Sequence, residues 1–403
     1  MKKHSLILTA LLLTLAVDQA FAQPDTIIVY NINTVTIDTV LPVWVNPTLT
    51  FNKTESAIGS LGNQVSLDLS PPTTNLFSNS SFSDLARAEL FFNVTDYPIR
   101  TATRLFYYKN GVLSGCCSGM MVGENFVLTA GHCAYNYTDQ IFGYDSILIA
   151  PAYDNASIQP SLPTSVVEKV YLFKTFYDKK FFDDIALLQL RQPIGQQIGW
   201  IGMAFNSDTS FINGKVFHKL SYPGVTSPFD TSKHYNGDTL YYNYGYINNL
   251  NTQLGINSPQ ARGIPGQSGS SLFYTDNSEY FSMGVASFSS NYCHYKITKD
   301  VFYQLKSIME NNAASTQDDL TVGNGMLIYP NPFSTFTTIQ LNSADANSDL
   351  IIYNLYGQQV KQMKNISAQK ITLHRDNIPC GMYFIRLTQD DKVIATERLV
   401  ITN

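Results

Sequence analysis

Between Tyr97 and Ala286 one pattern recurs: short apolar runs broken by Gly, Asn and Pro. Arg104-Leu105-Phe106-Tyr107-Tyr108 runs into Asn110-Gly111, a two-residue hairpin signal, and Val112-Leu113 restarts the strand. Further strand-like runs follow at Phe126–Thr129, Ser146–Ile149, Val166–Phe173, Ile185–Leu190, Lys215–Phe217, Thr239–Tyr244 and Ser282–Ala286. Many short strands at this spacing predict an all-β fold, a closed barrel or a sandwich. The 25 Tyr and 24 Phe support that reading, because aromatic side chains suit a half-buried pleated surface. Asp300–Asn311 carries apolar residues near helical spacing and predicts a short helix after the strands.

The flanks divide the rest of the chain. Lys2 and Lys3, the apolar run Leu6–Val17 and the small-x-small triplet Ala20-Phe21-Ala22 read as a signal peptide over residues 1–22. The apolar run is too short to span a bilayer comfortably, so the expectation is an exported protein with no membrane span after signal removal. Residues 23–90 read as an N-terminal segment, β-like at Thr26–Tyr30 and Val35–Ile37, then rich in Ser, Asn and Pro. Two readings stand for it: a propeptide or inhibitory arm, and an extension packed on the next domain. Residues 91–311 form the main β domain, 312–325 a polar linker, and 326–403 a small β-sandwich with strands such as Leu350–Tyr353 and Met382–Leu387. A net charge of −5 with 14% charged residues and no basic run excludes a nucleic-acid or anionic-membrane binder.

Chemistry concentrates at three places. Gly263-Ile264-Pro265-Gly266-Gln267-Ser268-Gly269-Ser270-Ser271 is a glycine-rich turn before an apolar run, able to present a hydroxyl and backbone N–H groups to one small space. Thr129-Ala130-Gly131-His132-Cys133 ends an apolar strand and can turn an imidazole toward a cleft. Asp184 stands where the chain enters Ile185-Ala186-Leu187-Leu188, which suits a half-buried carboxylate beside that imidazole. A serine hydroxyl needs a base to take its proton, and the base needs an acid to fix its tautomer. No Cys/His spacing suggests zinc. The five cysteines, an odd number, leave at least one unpaired within a monomer.

Thr-Ala-Gly-His-Cys, Asp-Ile-Ala-Leu and Gly-Gln-Ser-Gly-Ser, in this order, resemble the chymotrypsin-like serine proteases. Cys117-Ser118-Gly119-Met120-Met121-Val122, Gly199-Trp200-Ile201-Gly202 and Tyr222-Pro223-Gly224 resemble the glutamyl endopeptidase branch. The resemblance implies a trypsin-like pair of six-stranded antiparallel β-barrels and a secreted serine endopeptidase acting on protein or peptide substrates without metal or cofactor. It implies His132 as general base, Asp184 as its orienter and Ser268 as nucleophile, with the N–H groups of Gly266 and Ser268 as oxyanion hole. It pairs Cys117 with Cys133 and leaves Cys116 and Cys293 without obvious partners. The rival expectation is a catalytically inactive protease homologue acting as a surface-binding protein.

Two departures from the family pattern stand out. Gln267 replaces the Asp that captures a newly cut N-terminus in digestive proteases. In Val285-Ala286-Ser287-Phe288-Ser289, which resembles a wall of the specificity pocket, Ala286 replaces the His that helps glutamyl endopeptidases bind glutamate. A buried substrate carboxylate needs a positive or donor-rich partner. Arg262 and His294 are candidates for it, against a reading in which both are exposed and the pocket takes an uncharged residue. Finally, Ile328-Tyr329-Pro330-Asn331-Pro332-Phe333, Tyr353-Asn354-Leu355-Tyr356-Gly357 and Pro379-Cys380-Gly381-Met382-Tyr383 resemble the type IX secretion sorting domain. That implies passage across the outer membrane on the type IX machinery and a secreted or cell-surface location.

Overall fold

The computed structural model describes residues 25–403 apart from 44, 46–47, 62–66, 70–81, 179–182, 228–230, 248, 252–254, 258–262, 288–293, 319–325, 330, 332, 342–347, 355–357, 390–391 and 403. The signal-peptide reading, Arg262, Phe288, Ser289 and Cys293 therefore lie outside the described residues.

Four short strands come first: β1 (Ile27–Asn31), β2 (Thr36–Val40), β3 (Phe51–Lys53) and β4 (Ala86–Arg87). The next six are β5 (Ala102–Lys109), β6 (Val112–Gly123), β7 (Phe126–Thr129), β8 (Ser146–Pro151), β9 (Ser165–Phe173) and β10 (Ala186–Leu190). They pair in the order β10-β7-β6-β5-β8-β9, and β9 pairs with β10 to close a six-stranded barrel. The hairpin between β5 and β6 turns at Asn110 and Gly111, with φ of +51° and +74°, the left-handed geometry that Asn-Gly is suited to. Leu105, Val127, Ile149, Val170 and Leu188 share the inner face, each essentially inaccessible. Two one-turn helices, α1 (Gly131–Ala134) and α2 (Lys174–Tyr177), sit at strand ends, and α3 (Gly195–Ile198) leads to the second half.

That half comprises β11 (Gly202–Asn206), β12 (Val216–Ser221), β13 (Tyr241–Tyr246), β14 (Asn249–Asn251), β15 (Gly255–Asn257), β16 (Ser271–Asp276), β17 (Glu279–Ala286) and β18 (His294–Lys296). Among the described residues it is not a second closed six-stranded barrel. It is a ten-stranded sheet that includes β3 and β4, running β14-β15-β18-β17-β16-β12-β13-β4. The difference lies in β17, whose outer edge is shared by β18 and, in parallel, by β11.

The N-terminal strands are woven into both halves. β1 adds to β9 in antiparallel register, β3 pairs with β11, and β4 with β13. Arg100, 2% exposed, fastens this segment from below, donating to the carbonyls of Ile58 and Ile198, both at 2.7 Å.

Helix α4 (Lys299–Asp318) packs against β11 through Phe205 and Phe302, whose ring centroids are 5.2 Å apart. It continues beyond Asn311, where the sequence suggested that a linker begins. Ala313, Ala314 and Gln317 are good helix formers, and nothing in that stretch breaks a helix. The C-terminal segment forms β19 (Met326–Tyr329), β20 (Phe336–Leu341), β21 (Ser348–Tyr353), β22 (Gln359–Ile366), β23 (Lys370–His374), β24 (Gly381–Gln389) and β25 (Lys392–Ile401). A three-stranded sheet (β19-β20-β23) and a four-stranded sheet (β22-β21-β24-β25) enclose a core containing Ile339, Leu373, Ile385 and Leu399.

Candidate active site

Strand register brings the first two chemical groups together. Ala186 of β10 pairs with Thr129 of β7 in an antiparallel ladder. The residue two before Ala186 and the residue three after Thr129 therefore emerge at the same barrel end. They are Asp184 and His132. The Asp184 carboxylate accepts from His132 Nδ1 at 2.8 Å through Oδ2, and from the His132 backbone N–H at 2.8 Å through Oδ1. Gly131 permits this approach, since a β-carbon there would lie 3.1 Å from Asp184 Oδ1 and 3.0 Å from Phe176. The disulfide Cys117–Cys133 ties the helix carrying His132 to β6. Both sulfurs lie near the imidazole, but they are bonded to each other and offer no thiolate to a metal. Among the described residues Cys116 and Cys380 form no disulfide.

Asp184 is 3% exposed and its neighbour Asp183 is turned the other way. Asp183 takes a left-handed φ of +57° and accepts from the hydroxyls of Thr175 and Tyr295. Burial raises the Asp183 carboxyl above the ordinary value, more than those hydrogen bonds lower it. Burial acts on Asp184 in the same direction. The charge of His132 and hydrogen bonds from its ring, from Ser287 and from the His132 backbone nevertheless hold that carboxyl below the ordinary range. The Ser287 hydroxyl donates to Asp184 Oδ2 at 2.6 Å. Ser287, read from sequence as a pocket residue, thus supports the carboxylate through its hydroxyl.

The serine turn docks onto the same end. Ser118 N–H donates to the Ser268 carbonyl at 2.8 Å, and Gly269 N–H to the Ala286 carbonyl at 2.8 Å. Gly269 has φ of +81°, and a β-carbon on it would lie 2.0 Å from Thr129 Oγ1 and 2.9 Å from the Ala130 N. Only glycine fits there, so the turn rests on the strand end that leads to His132. The backbone N–H groups of Gly266 and Ser268 donate to no acceptor among the described residues.

Gln267 is 2% exposed. Its Oε1 accepts from Ile264 N–H at 2.8 Å and its Nε2 donates to Ser221 Oγ at 2.6 Å. Of the pocket candidates, Ala286 and His294 are cross-strand partners on β17 and β18. Both are buried, His294 completely, so the reading that left His294 exposed is corrected. Its place in the middle of a sheet, opposite Ala286, is the reason.

Sequence reasoning gave Ser118 and Ser221 no role at the site, and Ser287 none beside the carboxylate. Their types and spacing carry no signal, because each acts only through a partner brought from far along the chain.

A closed β-barrel joined to a second β half, with an acid–imidazole pair beside a serine turn, defines a trypsin-like serine protease domain. Residues 100–310 match the Trypsin family model, more than half of the chain, and the protein belongs to that family. Residues 327–402 match the Secretion system C-terminal sorting domain, which marks the chain for export to the cell surface or medium. The chain is 26% identical over 132 residues to a glutamyl endopeptidase of Bacillus licheniformis, covering 33% of this chain and 39% of the relative. It is 29% identical over 120 residues to an extracellular metalloprotease of Bacillus subtilis, covering 29% and 37%. The matches thus span about two fifths of these relatives' length. A solved structure of a Glu endopeptidase in complex with MPD aligns with a TM-score of 0.43 and 18% identity, over 57% of this chain and 98% of that one. No helix among the described residues is long and apolar enough to cross a membrane.

Proposed function

We propose that the chain is a secreted serine endopeptidase working through an acyl-enzyme. Ser268 attacks the scissile carbonyl carbon while His132 takes the hydroxyl proton. The N–H groups of Gly266 and Ser268 receive the developing oxyanion, each worth roughly 3 kcal/mol of barrier. His132 then returns the proton to the leaving amine, and water repeats the sequence to release the acid. Asp184 keeps the imidazole proton on Nδ1, so that Nε2 is free to accept. The observation carrying this reading is the buried Asp184 carboxylate on His132 Nδ1 at 2.8 Å, beside a serine turn whose two N–H groups meet no acceptor among the described residues. In this reading residues 91–311 are the catalytic domain and 326–403 the sorting domain, recognised by the type IX machinery.

For the residue before the scissile bond, His294 opposite Ala286 favours an acidic side chain over an uncharged one. An imidazole in that wall supplies the donor that Ala286 lacks. Peptides differing only as Glu or Gln at this position test it, and equal cleavage of both removes the acidic preference.

Labelling of Ser268 by a serine-directed phosphonate, lost in Ser268→Ala, tests the reaction. Absence of labelling in the processed wild-type protein would favour the inactive, surface-binding homologue instead.

A further inference from the structure

We propose that Ser118 and Gln267 are positioning residues that hold the turn 264–268 in its oxyanion-accepting conformation by a clamp of neutral groups. The inference rests on the proposed roles of Gly266 and Ser268.

Two peptide planes flank the Gly266 α-carbon, and each is pinned through its carbonyl. The Pro265 carbonyl accepts from Gly224 N–H at 2.8 Å. In a trans peptide the N–H points opposite to the C=O, so the Gly266 N–H is directed away from the 222–224 loop. The Gly266 carbonyl accepts from the Ser118 hydroxyl at 2.8 Å, and that hydroxyl oxygen accepts from Tyr222 N–H at 2.9 Å. Ser118 thereby joins β6, the 222–224 loop and the serine turn through one oxygen. It is 0% exposed, so water does not compete for either bond. The turn presses close on this support: Gly266 has φ of +95°, and a β-carbon on it would lie 2.4 Å from the Tyr222 carbonyl.

Gln267 closes the turn from the inside. Ile264 N–H can only donate, so the amide oxygen must face it, which leaves the amide nitrogen for Ser221 Oγ. The Gln267 backbone also donates to the Ile264 carbonyl at 2.9 Å and accepts from Ser270 N–H at 3.0 Å. Ser221 and Tyr222 are consecutive at the end of β12, so both parts of the clamp use one anchor. No group in it is charged. The turn is held without an ion pair at the position before the nucleophile.

The test compares Ser118→Ala, Ser118→Thr and Gln267→Glu in the full chain, with active sites counted by phosphonate titration. Ser118→Ala is expected to lower kcat per titrated site by about tenfold, with KM within about twofold. That is less than the loss of a direct oxyanion donor, about 10²–10³-fold. A peptide aldehyde, which forms an oxyanion on binding, should weaken by the same factor. A non-reacting product peptide should bind unchanged, and Ser118→Thr, which keeps the hydroxyl, should recover most of the rate. Gln267→Glu keeps the shape but loses the amide donor, and should show the same split between kcat and KM should Ser118→Ala fail to fold. Wild-type kcat per titrated site in Ser118→Ala or in Gln267→Glu, or equal weakening of aldehyde and product peptide, would overturn the clamp. Absence of labelling in the wild type would instead overturn the underlying reaction.

Discussion

Replacing Asp184 by Asn tests the proposed site at its most constrained point. Oδ1 of the carboxylate accepts from His132 N–H at 2.8 Å, and Oδ2 accepts from Nδ1 at 2.8 Å and from Ser287 at 2.6 Å. An amide has one acceptor oxygen to offer these donors. If that oxygen takes the Oδ2 position, the NH₂ faces the His132 backbone N–H, a buried donor–donor contact costing about 1–3 kcal/mol. The favoured orientation puts oxygen on the backbone N–H and NH₂ toward the ring. Nδ1 must then accept, and the imidazole proton moves to Nε2. A protonated Nε2 cannot take the Ser268 proton. The expected loss in kcat is about 10⁴-fold, or about 5.4 kcal/mol of barrier, with KM nearly unchanged. Steady-state kinetics on a peptide substrate at neutral pH, with phosphonate labelling slowed in parallel, measures it. A variant within about tenfold of wild-type kcat would refute the assigned tautomer and the role of Asp184.

Other consequences are independent of that variant. Ser287→Ala removes one of three donors to the carboxylate and should lower kcat by about tenfold without unfolding the domain, checked by kinetics beside a melting curve. Gly269→Ala places a methyl 2.0 Å from Thr129 Oγ1 at a left-handed φ, and should abolish activity while Ser270→Ala, one residue on, remains folded. His218 is fully buried against Tyr242, and burial pushes its pKa down to about 3. The unfolded chain therefore binds a proton that the folded chain does not, and stability falls with decreasing pH from about 6.5 toward 3. The slope is about 1.4 kcal/mol per pH unit. Between pH 7 and pH 4, His218→Phe should lose about 3 kcal/mol less than wild type in denaturant unfolding, and an equal loss in both would refute it. Because the serine turn is held by neutral groups, kcat should stay level from pH 8 to 10, through the usual range of α-amino deprotonation. Burial holds Tyr222, beside the turn, well above its ordinary pKa and out of that window.

How far the sequence reaches differs from residue to residue. Asn110-Gly111 announced its hairpin because the left-handed geometry is a property of those residues alone. Gly266 and Gly269 likewise marked a turn that no side chain could occupy. The end of α4 was misplaced because Ala and Gln serve equally in a polar linker and in a helix. The pairing of β1, β3 and β4 with strands far along the chain left no local trace, since an alternating run does not state which edge it will join. For the same reason the sequence did not say that β11 and β18 share one edge of β17.

By itself, then, the sequence determined the β character of the chain, the order His132, Asp184, Ser268, and the two turns that present the imidazole and the hydroxyl. These depend on residue type and short spacing, which act within a few residues. Only the tertiary structure decided that Ser287 supports the carboxylate and that Ser118 and Gln267 hold the serine turn. Each of those outcomes depends on which donor meets which acceptor across strands more than forty residues apart. Register and burial set that meeting, and neither is written in any single stretch of chain.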